Sequence, residues 1–171
     1  YLACLRAGAV YLPLNIAYTL AELEYFIADA EPRLVVCSPA AQAGLAPVAG
    51  RYGARVETLD EHAGGTLLDM AQSQSGQFED VARGPEDLAA ILYTSGTTGR
   101  SKGAMLTHDN LLSNAATLRE YWRFDRSDRL IHALPIFHTH GLFIATNIVL
   151  LAGASMYFLP KFDAEEVLRL M

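Results

Sequence analysis

Apolar positions along this chain fall into two arrangements, short uninterrupted runs and wider groups spaced three or four apart, with polar or glycine- and proline-containing segments between them. The runs predict strands and the spaced groups predict helices. Tyr1-Leu2-Ala3-Cys4-Leu5 reads as part of a helix that ends at Gly8, followed by a strand at Val10-Tyr11-Leu12-Pro13. Thr19-Leu20-Ala21-Glu22 has the spacing of a capping box and opens a helix with Leu23, Phe26, Ile27 and Ala30 on one face, stopped by Pro32. Leu34-Val35-Val36-Cys37 predicts a short strand, Ser38-Pro39 the cap and first turn of a helix, and Arg55-Val56-Glu57-Thr58-Leu59 a further strand. Pro47 and Gly50 interrupt the helical pattern between them.

After a polar stretch, Gln72-Ser73-Gln74-Ser75-Gly76-Gln77, apolar density resumes at its earlier level, so residues 72–84 are expected to form a surface loop rather than a domain boundary. Leu88-Ala89-Ala90-Ile91-Leu92-Tyr93 and Ala104-Met105-Leu106 predict a hairpin-like pair of strands around a loop of small residues. Thr107 caps the next helix, where Leu111, Ala115, Leu118 and Trp122 share one face and are expected to be core. Arg129-Leu130-Ile131-His132-Ala133-Leu134 is a strand ended by Pro135, which leaves Phe137, His138 and His140 at or just beyond its carboxyl end, where α/β sheets bind ligands. Residues 141–160 carry no charge over the length of a bilayer span, but Asn147, Gly153 and Ser155 interrupt them, so a helix followed by a buried strand is expected and no membrane span. Strands alternating with helices predict an α/β fold of stacked, mostly parallel sheets and helices.

Composition narrows the function classes. A chain of 171 residues with 51% hydrophobic positions has enough apolar surface for one core. Thirteen Lys and Arg against nineteen Asp and Glu leave a net charge of −6 with no basic run, which argues against nucleic acid as a partner. Two cysteines, Cys4 and Cys37, are too few for a disulfide framework and point to free thiols in a reducing, cytoplasmic compartment. The first helix lacks a start and Asp163-Ala164-Glu165-Glu166 opens a helix with few residues after it, so the chain is expected to be an internal piece of a longer protein.

The chemistry concentrates in Tyr93-Thr94-Ser95-Gly96-Thr97-Thr98-Gly99-Arg100-Ser101-Lys102-Gly103. Glycines let the backbone approach an anion, and successive N–H groups, hydroxyls and an ammonium supply donors for phosphate oxygens. The Walker pattern fails here, since Lys102 lies between Ser101 and Gly103. His138-Thr139-His140 brings two imidazoles close in sequence, but with no third ligand at a recognisable spacing no metal site is expected.

These eleven positions resemble the signature loop of the adenylate-forming superfamily, the acyl-CoA synthetases, luciferases and peptide-synthetase adenylation domains, with Ser101 where that pattern has proline. Leu5-Arg6-Ala7-Gly8-Ala9-Val10-Tyr11-Leu12-Pro13-Leu14-Asn15 and Ala28-Asp29-Ala30-Glu31-Pro32 resemble its early helix and strand segment. Leu134-Pro135-Ile136-Phe137-His138-Thr139-His140-Gly141-Leu142 resembles its aromatic-histidine motif. The three stretches nearly span the chain, so residues 1–171 are expected to be an incomplete segment of that family's single large N-terminal domain. Within the superfamily the likeness is to malonyl-CoA synthetases, resting on residues 99–106 and 137–143.

The resemblance implies ATP phosphate contacts from Thr94, Ser95, Gly96, Thr97, Thr98, Gly99 and Lys102, an acyl pocket that includes His138, and ATP, Mg2+ and coenzyme A as cofactor and co-substrates. It implies a small carboxylic acid, malonate, as substrate, and no catalytic residue within the chain, since the adenylation lysine and the Mg2+ ligand belong to motifs with no counterpart here. Another short-chain acyl-CoA synthetase, a peptide-synthetase adenylation domain and an inactive truncated product are the alternative readings.

Overall fold

The computed structural model describes residues 1–94 and 100–171. In chain order its elements are α1 (Leu2–Arg6), α2 (Leu20–Ala30), β1 (Leu34–Cys37), α3 (Pro39–Arg51), β2 (Arg55–Thr58), α4 (Thr66–Gln72), β3 (Leu88–Thr94), β4 (Lys102–Thr107), α5 (His108–Tyr121), β5 (Arg129–His132), a π-helix (His140–Thr146), α6 (Asn147–Ala152), β6 (Ser155–Phe158) and α7 (Ala164–Leu170). They divide into two compact units, Asn15–Phe78 and Tyr1–Leu14 with Glu79–Met171. The second crossing between units falls inside the polar 72–84 segment, where no helix or strand forms beyond Gln72.

In the unit of Asn15–Phe78, β1 and β2 pair in parallel, with Leu34 opposite Arg55 and Cys37 opposite Thr58. The capping box is present in both directions: the Glu22 N–H donates to Thr19 Oγ1, and Glu22 Oε2 accepts from the Thr19 N–H at 2.8 Å. Ile27 from α2 packs with Leu45, Val48 and Ala49 from α3, and Ala54, Val35 and Val56 close the cluster against the sheet. Helix α3 continues through Pro47, although proline removes a backbone donor and costs about 3 kcal/mol inside a helix. Burial of Leu45, Val48 and Ala49 around it offsets that loss. Helix α4 has no sequence signal comparable to the others. A reciprocal pair starts it, the Thr58 N–H donating to Thr66 Oγ1 at 2.9 Å and the Thr66 N–H to Thr58 Oγ1 at 3.0 Å.

In the other unit, β3 and β4 form the expected antiparallel hairpin and β5 and β6 a parallel pair. The expected strand at residues 10–13 reduces to one parallel bridge, Tyr11 to Ala90, with the Tyr11 N–H donating to the Ala89 carbonyl and the Ile91 N–H to that of Tyr11. Pro13 has no N–H with which to extend the ladder. Thr107 caps α5 in a second capping box, with Asn110 as its partner.

Two burial expectations are corrected. Leu111 and Ala115 are core, but Trp122 is 54% exposed, because it occupies the C-cap beyond the last helical turn, where the apolar stripe has run past the packed surface. Residues 155–158 do follow a helix that ends in left-handed Gly153, yet Tyr157 and Phe158 stay exposed, since among the described residues β6 pairs with β5 alone in a two-stranded sheet. Among the described residues no helix is long and apolar enough to cross a membrane.

The Glu22 carboxyl is held below the usual carboxylate range, first by the Thr19 hydroxyl and then by its N–H. Its contribution to α2 is therefore present above the ordinary carboxylate range and is lost as pH falls through the lowered value. Thr19→Ala is expected to destabilise this unit by about 1 kcal/mol, the usual cost of losing an N-cap, and to flatten the acid limb of a urea-midpoint-versus-pH curve. An unchanged midpoint would show the box to be energetically idle.

Candidate functional site

The hairpin places two of the expected phosphate-binding residues opposite each other. Strand β3 ends at Thr94 and β4 begins at Lys102, and the register pairs Thr94 with Lys102 and Tyr93 with Gly103. The Thr94 hydroxyl donates to the Lys102 carbonyl at 3.4 Å, tying the two strand ends together. Both side chains are exposed, and among the described residues no carboxylate pairs with the Lys102 ammonium. At Gly103 a Cβ would come within 2.9 Å of Ile91 Cγ2, so the glycine admits the neighbouring strand's side chain. The remaining expected phosphate contacts, Ser95, Gly96, Thr97, Thr98 and Gly99, lie outside the described residues.

His138 stands on a separate segment of the same unit, in the turn between β5 and the π-helix, and is exposed. Its N–H donates to the Pro135 carbonyl at 3.2 Å and its own carbonyl accepts from the Leu142 N–H at 3.0 Å. Its ring lies 6.3 Å from that of Phe137 and 6.5 Å from that of His140. The turn depends on Gly141: a Cβ there would overlap the Pro135 carbonyl oxygen and sit within 2.8 Å of its carbon. Among the described residues His138 makes no hydrogen bond to Thr94 or Lys102, and no three His, Cys, Asp or Glu side chains converge to hold a metal.

What joins the segments is one core. Ala89 and Ala90 of β3, Leu111 of α5, and Leu142 and Phe143 of the π-helix form a single buried cluster, with Tyr1, Leu5, Tyr11, Leu92 and Leu106 packed against it. Burial holds the Tyr1 and Tyr11 phenols above their ordinary value. A cleft of about 480 Å³ at the end of α5, lined by Arg119, Arg123 and Arg126 among others, includes none of the expected site residues.

Sequence reasoning passed over His132, which it read only as a strand position. The side chain is buried, its Nε2 lies 2.7 Å from the Gly141 carbonyl, and Thr146 Oγ1 donates to that same carbonyl at 3.0 Å. The available signal was a histidine inside an apolar strand run, since a buried imidazole needs a partner.

The described residues thus present an α/β unit with hydroxyl and ammonium groups at the ends of one hairpin and exposed imidazoles on a separate turn, both built onto one core. The chain matches the AMP-binding enzyme family over residues 1–171 and belongs to it. It is 34% identical over 165 residues to a malonate–CoA ligase of Arabidopsis thaliana, covering 95% of this chain and 27% of that protein. It is also 34% identical over 160 residues to an oxalate–CoA ligase of Arabidopsis thaliana, covering 91% of this chain and 31% of that protein. The crystal structure of ATP-bound MatB from Rhodopseudomonas palustris matches with a TM-score of 0.95 and 62% identity, covering 99% of this chain and 34% of that one. The chain thus spans about a third of the length of these relatives.

The two glycines give unequal expectations. Gly141→Ala meets backbone that cannot rotate away, and overpacking of this kind typically costs about 1–3 kcal/mol. Gly103→Ala meets the end of the Ile91 side chain, which can turn aside. Thermal unfolding of the two variants of the full-length protein is expected to show a clear drop for Gly141→Ala and a smaller one for Gly103→Ala. The reverse order would contradict the packing described.

Proposed function

We propose that residues 1–171 form part of the single large N-terminal domain of an ATP-dependent acid–thiol ligase that makes malonyl-CoA through an acyl adenylate. The observation that carries this reading is the hairpin base, where Thr94 and Lys102 face each other across a loop with the family's hydroxyl and glycine sequence. The family match along the whole chain and the 62% identity to an ATP-bound MatB support it.

In the first half-reaction a malonate carboxylate oxygen attacks the α-phosphorus of ATP; the new P–O bond forms as the bond to the bridging oxygen breaks and pyrophosphate leaves with that electron pair. In the second, the thiol of coenzyme A loses its proton to solvent, the sulfur forms a bond to the acyl carbon, and the acyl C–O bond breaks as AMP leaves with that electron pair. Negative charge moves onto pyrophosphate in the first half, so the chain's task there is to present fixed donors where that charge develops. Thr94, Ser95, Thr97, Thr98 and Lys102 are the donors, with Gly96 and Gly99 giving the backbone room. The ammonium of Lys102, lacking a carboxylate partner among the described residues, is available for a phosphate. Magnesium, when bound, would neutralise phosphate charge. The resemblance assigns its glutamate ligand and the adenylation lysine to motifs without a counterpart in residues 1–171, so these residues alone are proposed to turn over nothing.

His138 is the acyl-pocket residue. A short dicarboxylate brings a second, non-reacting carboxylate that must be neutralised, and an imidazole can supply a charge-assisted hydrogen bond. The oxalate–CoA ligase relative favours one second reading, a different short dicarboxylate in the same pocket. The compartment consistent with the free, half-buried thiols of Cys4 and Cys37 is the cytoplasm.

Two substitutions in the full-length enzyme test the assignment. Hydrogen bonds to charged groups contribute about 1.5–3 kcal/mol, so Thr98→Val is expected to slow ATP–pyrophosphate exchange by roughly ten- to a hundred-fold. An unchanged rate would remove Thr98 from the phosphate site. His138→Ala is expected to raise KM for malonate about ten-fold or more while leaving that for acetate within about two-fold, the signature of a contact to the second carboxylate. Equal changes for both acids would rule out that contact.

A further inference from the structure

We infer that His132 is a positioning residue for the acyl-binding end of the site, holding His138 and His140 in place through the Gly141 carbonyl; the inference rests on the ligase reading above and deepens it. His132 is the last residue of β5 and 1% exposed, in a strand position that an aliphatic residue would fill without leaving a polar atom to satisfy. Its Nε2 is 2.7 Å from the Gly141 carbonyl oxygen, which can only accept, so the ring carries its hydrogen on Nε2 and donates there. Nδ1 then has no partner, although it is buried. A buried polar atom left unsatisfied opposes retention of the imidazole unless the other nitrogen does something needed.

What Nε2 holds is the turn that carries the histidines. Gly141 is gripped on two sides: the Pro135 carbonyl abuts its Cα so closely that no Cβ fits, and the His132 ring and the Thr146 hydroxyl both donate to its carbonyl. The Leu142 N–H ties the next residue back to the His138 carbonyl at 3.0 Å, so a shift of Gly141 moves His138 with it. Phe158 stacks on the His132 ring with centroids 4.7 Å apart, fixing the plane from which Nε2 donates. The segment so held is π-helical from His140 to Thr146, a rare backbone form that is frequently found at functional sites. His132 thus adds a buried side-chain donor at the start of the turn, and it touches no reacting atom.

The experiment uses the full-length protein with three variants. His132→Phe keeps a ring for Phe158 to stack on but removes the donor; His132→Gln places an amide N–H near the position of Nε2; Thr146→Val removes the second donor to the same carbonyl without altering the ring. Two readouts are taken: hydrogen–deuterium exchange of peptides covering residues 136–146, and KM for malonate and for ATP in pyrophosphate exchange. His132→Phe is expected to speed amide exchange across this segment and to raise KM for malonate about ten-fold, with KM for ATP within about two-fold. His132→Gln is expected to return both values to within about three-fold of the parent. Should His132→Phe fail to fold, Thr146→Val is expected to show the same pattern at smaller amplitude.

Unchanged exchange and unchanged malonate KM in His132→Phe would overturn the inference. So would a glutamine variant as impaired as the phenylalanine one, or, where His132→Phe does not fold, a Thr146→Val protein identical to the parent. If the parent itself supports pyrophosphate exchange with no short carboxylic acid, the ligase reading fails while the amide-exchange comparison still decides whether His132 holds the turn.

Discussion

The cluster of Ala89, Ala90, Leu111, Leu142 and Phe143 is the constraint on which the candidate site depends. It takes residues from the strand that leads to the Ser-, Thr- and Gly-rich stretch, from the helix that follows the hairpin and from the π-helix that follows His138. Two of its members, Ala89 and Ala90, are alanines with no exposed surface on successive positions of β3. Interiors are packed to near-crystalline density, so enlarging either alanine would be felt along both segments at once. Nothing in the described residues hydrogen-bonds Thr94 or Lys102 to His138, which makes this apolar contact the means by which the two are held in one frame.

The legibility of the sequence follows from where the information for each element resides. Helices α2 and α5 were readable because their starts are local: Thr19 with Glu22, and Thr107 with Asn110, complete their bonds within four residues. The β3–β4 hairpin was readable because small residues separate two apolar runs. Helix α4 was not, because Thr58 and Thr66 start it from eight residues apart across a turn. Trp122 misled for a related reason, since periodicity extends a stripe without saying where the packed surface ends. For the site, residue types and order pointed to Thr94, Lys102 and His138, while the register that opposes the first two and the fixing of the third by Gly141 are tertiary facts.

His132 and Gly141 show the same division at the scale of single atoms. Glycine at 141 could be read as a turn former, yet no positive φ is involved there. Its necessity comes from the Pro135 carbonyl, six residues earlier, filling the space of a Cβ. The histidine at 132 is the converse, a polar residue in a strand run whose reason becomes visible only when the Gly141 carbonyl is found 2.7 Å from its ring. Local rules are broken at both positions, and both adjoin the turn that bears the candidate acyl-site histidine, as is common where a fold gives up local consistency for function.

The hairpin also bears on what kind of anion site the ligase reading requires. Many phosphate sites use the N-terminus of a helix, where unpaired N–H groups and the helix dipole supply positive potential. Here the loop leads into β4, and α5 begins only at His108, with the two donors and acceptors of its cap already exchanged between Thr107 and Asn110. Among the described residues, the segment that follows residues 95–99 is strand β4, not the start of a helix. On the ligase reading, the donors come from the loop's own N–H groups and hydroxyls and from the exposed Lys102 ammonium, in keeping with the concentration of Ser and Thr between residues 94 and 101 and with a lysine as the first residue of β4. On that reading each hydroxyl can be removed by substitution and weighed separately from the backbone donors, which substitution leaves in place.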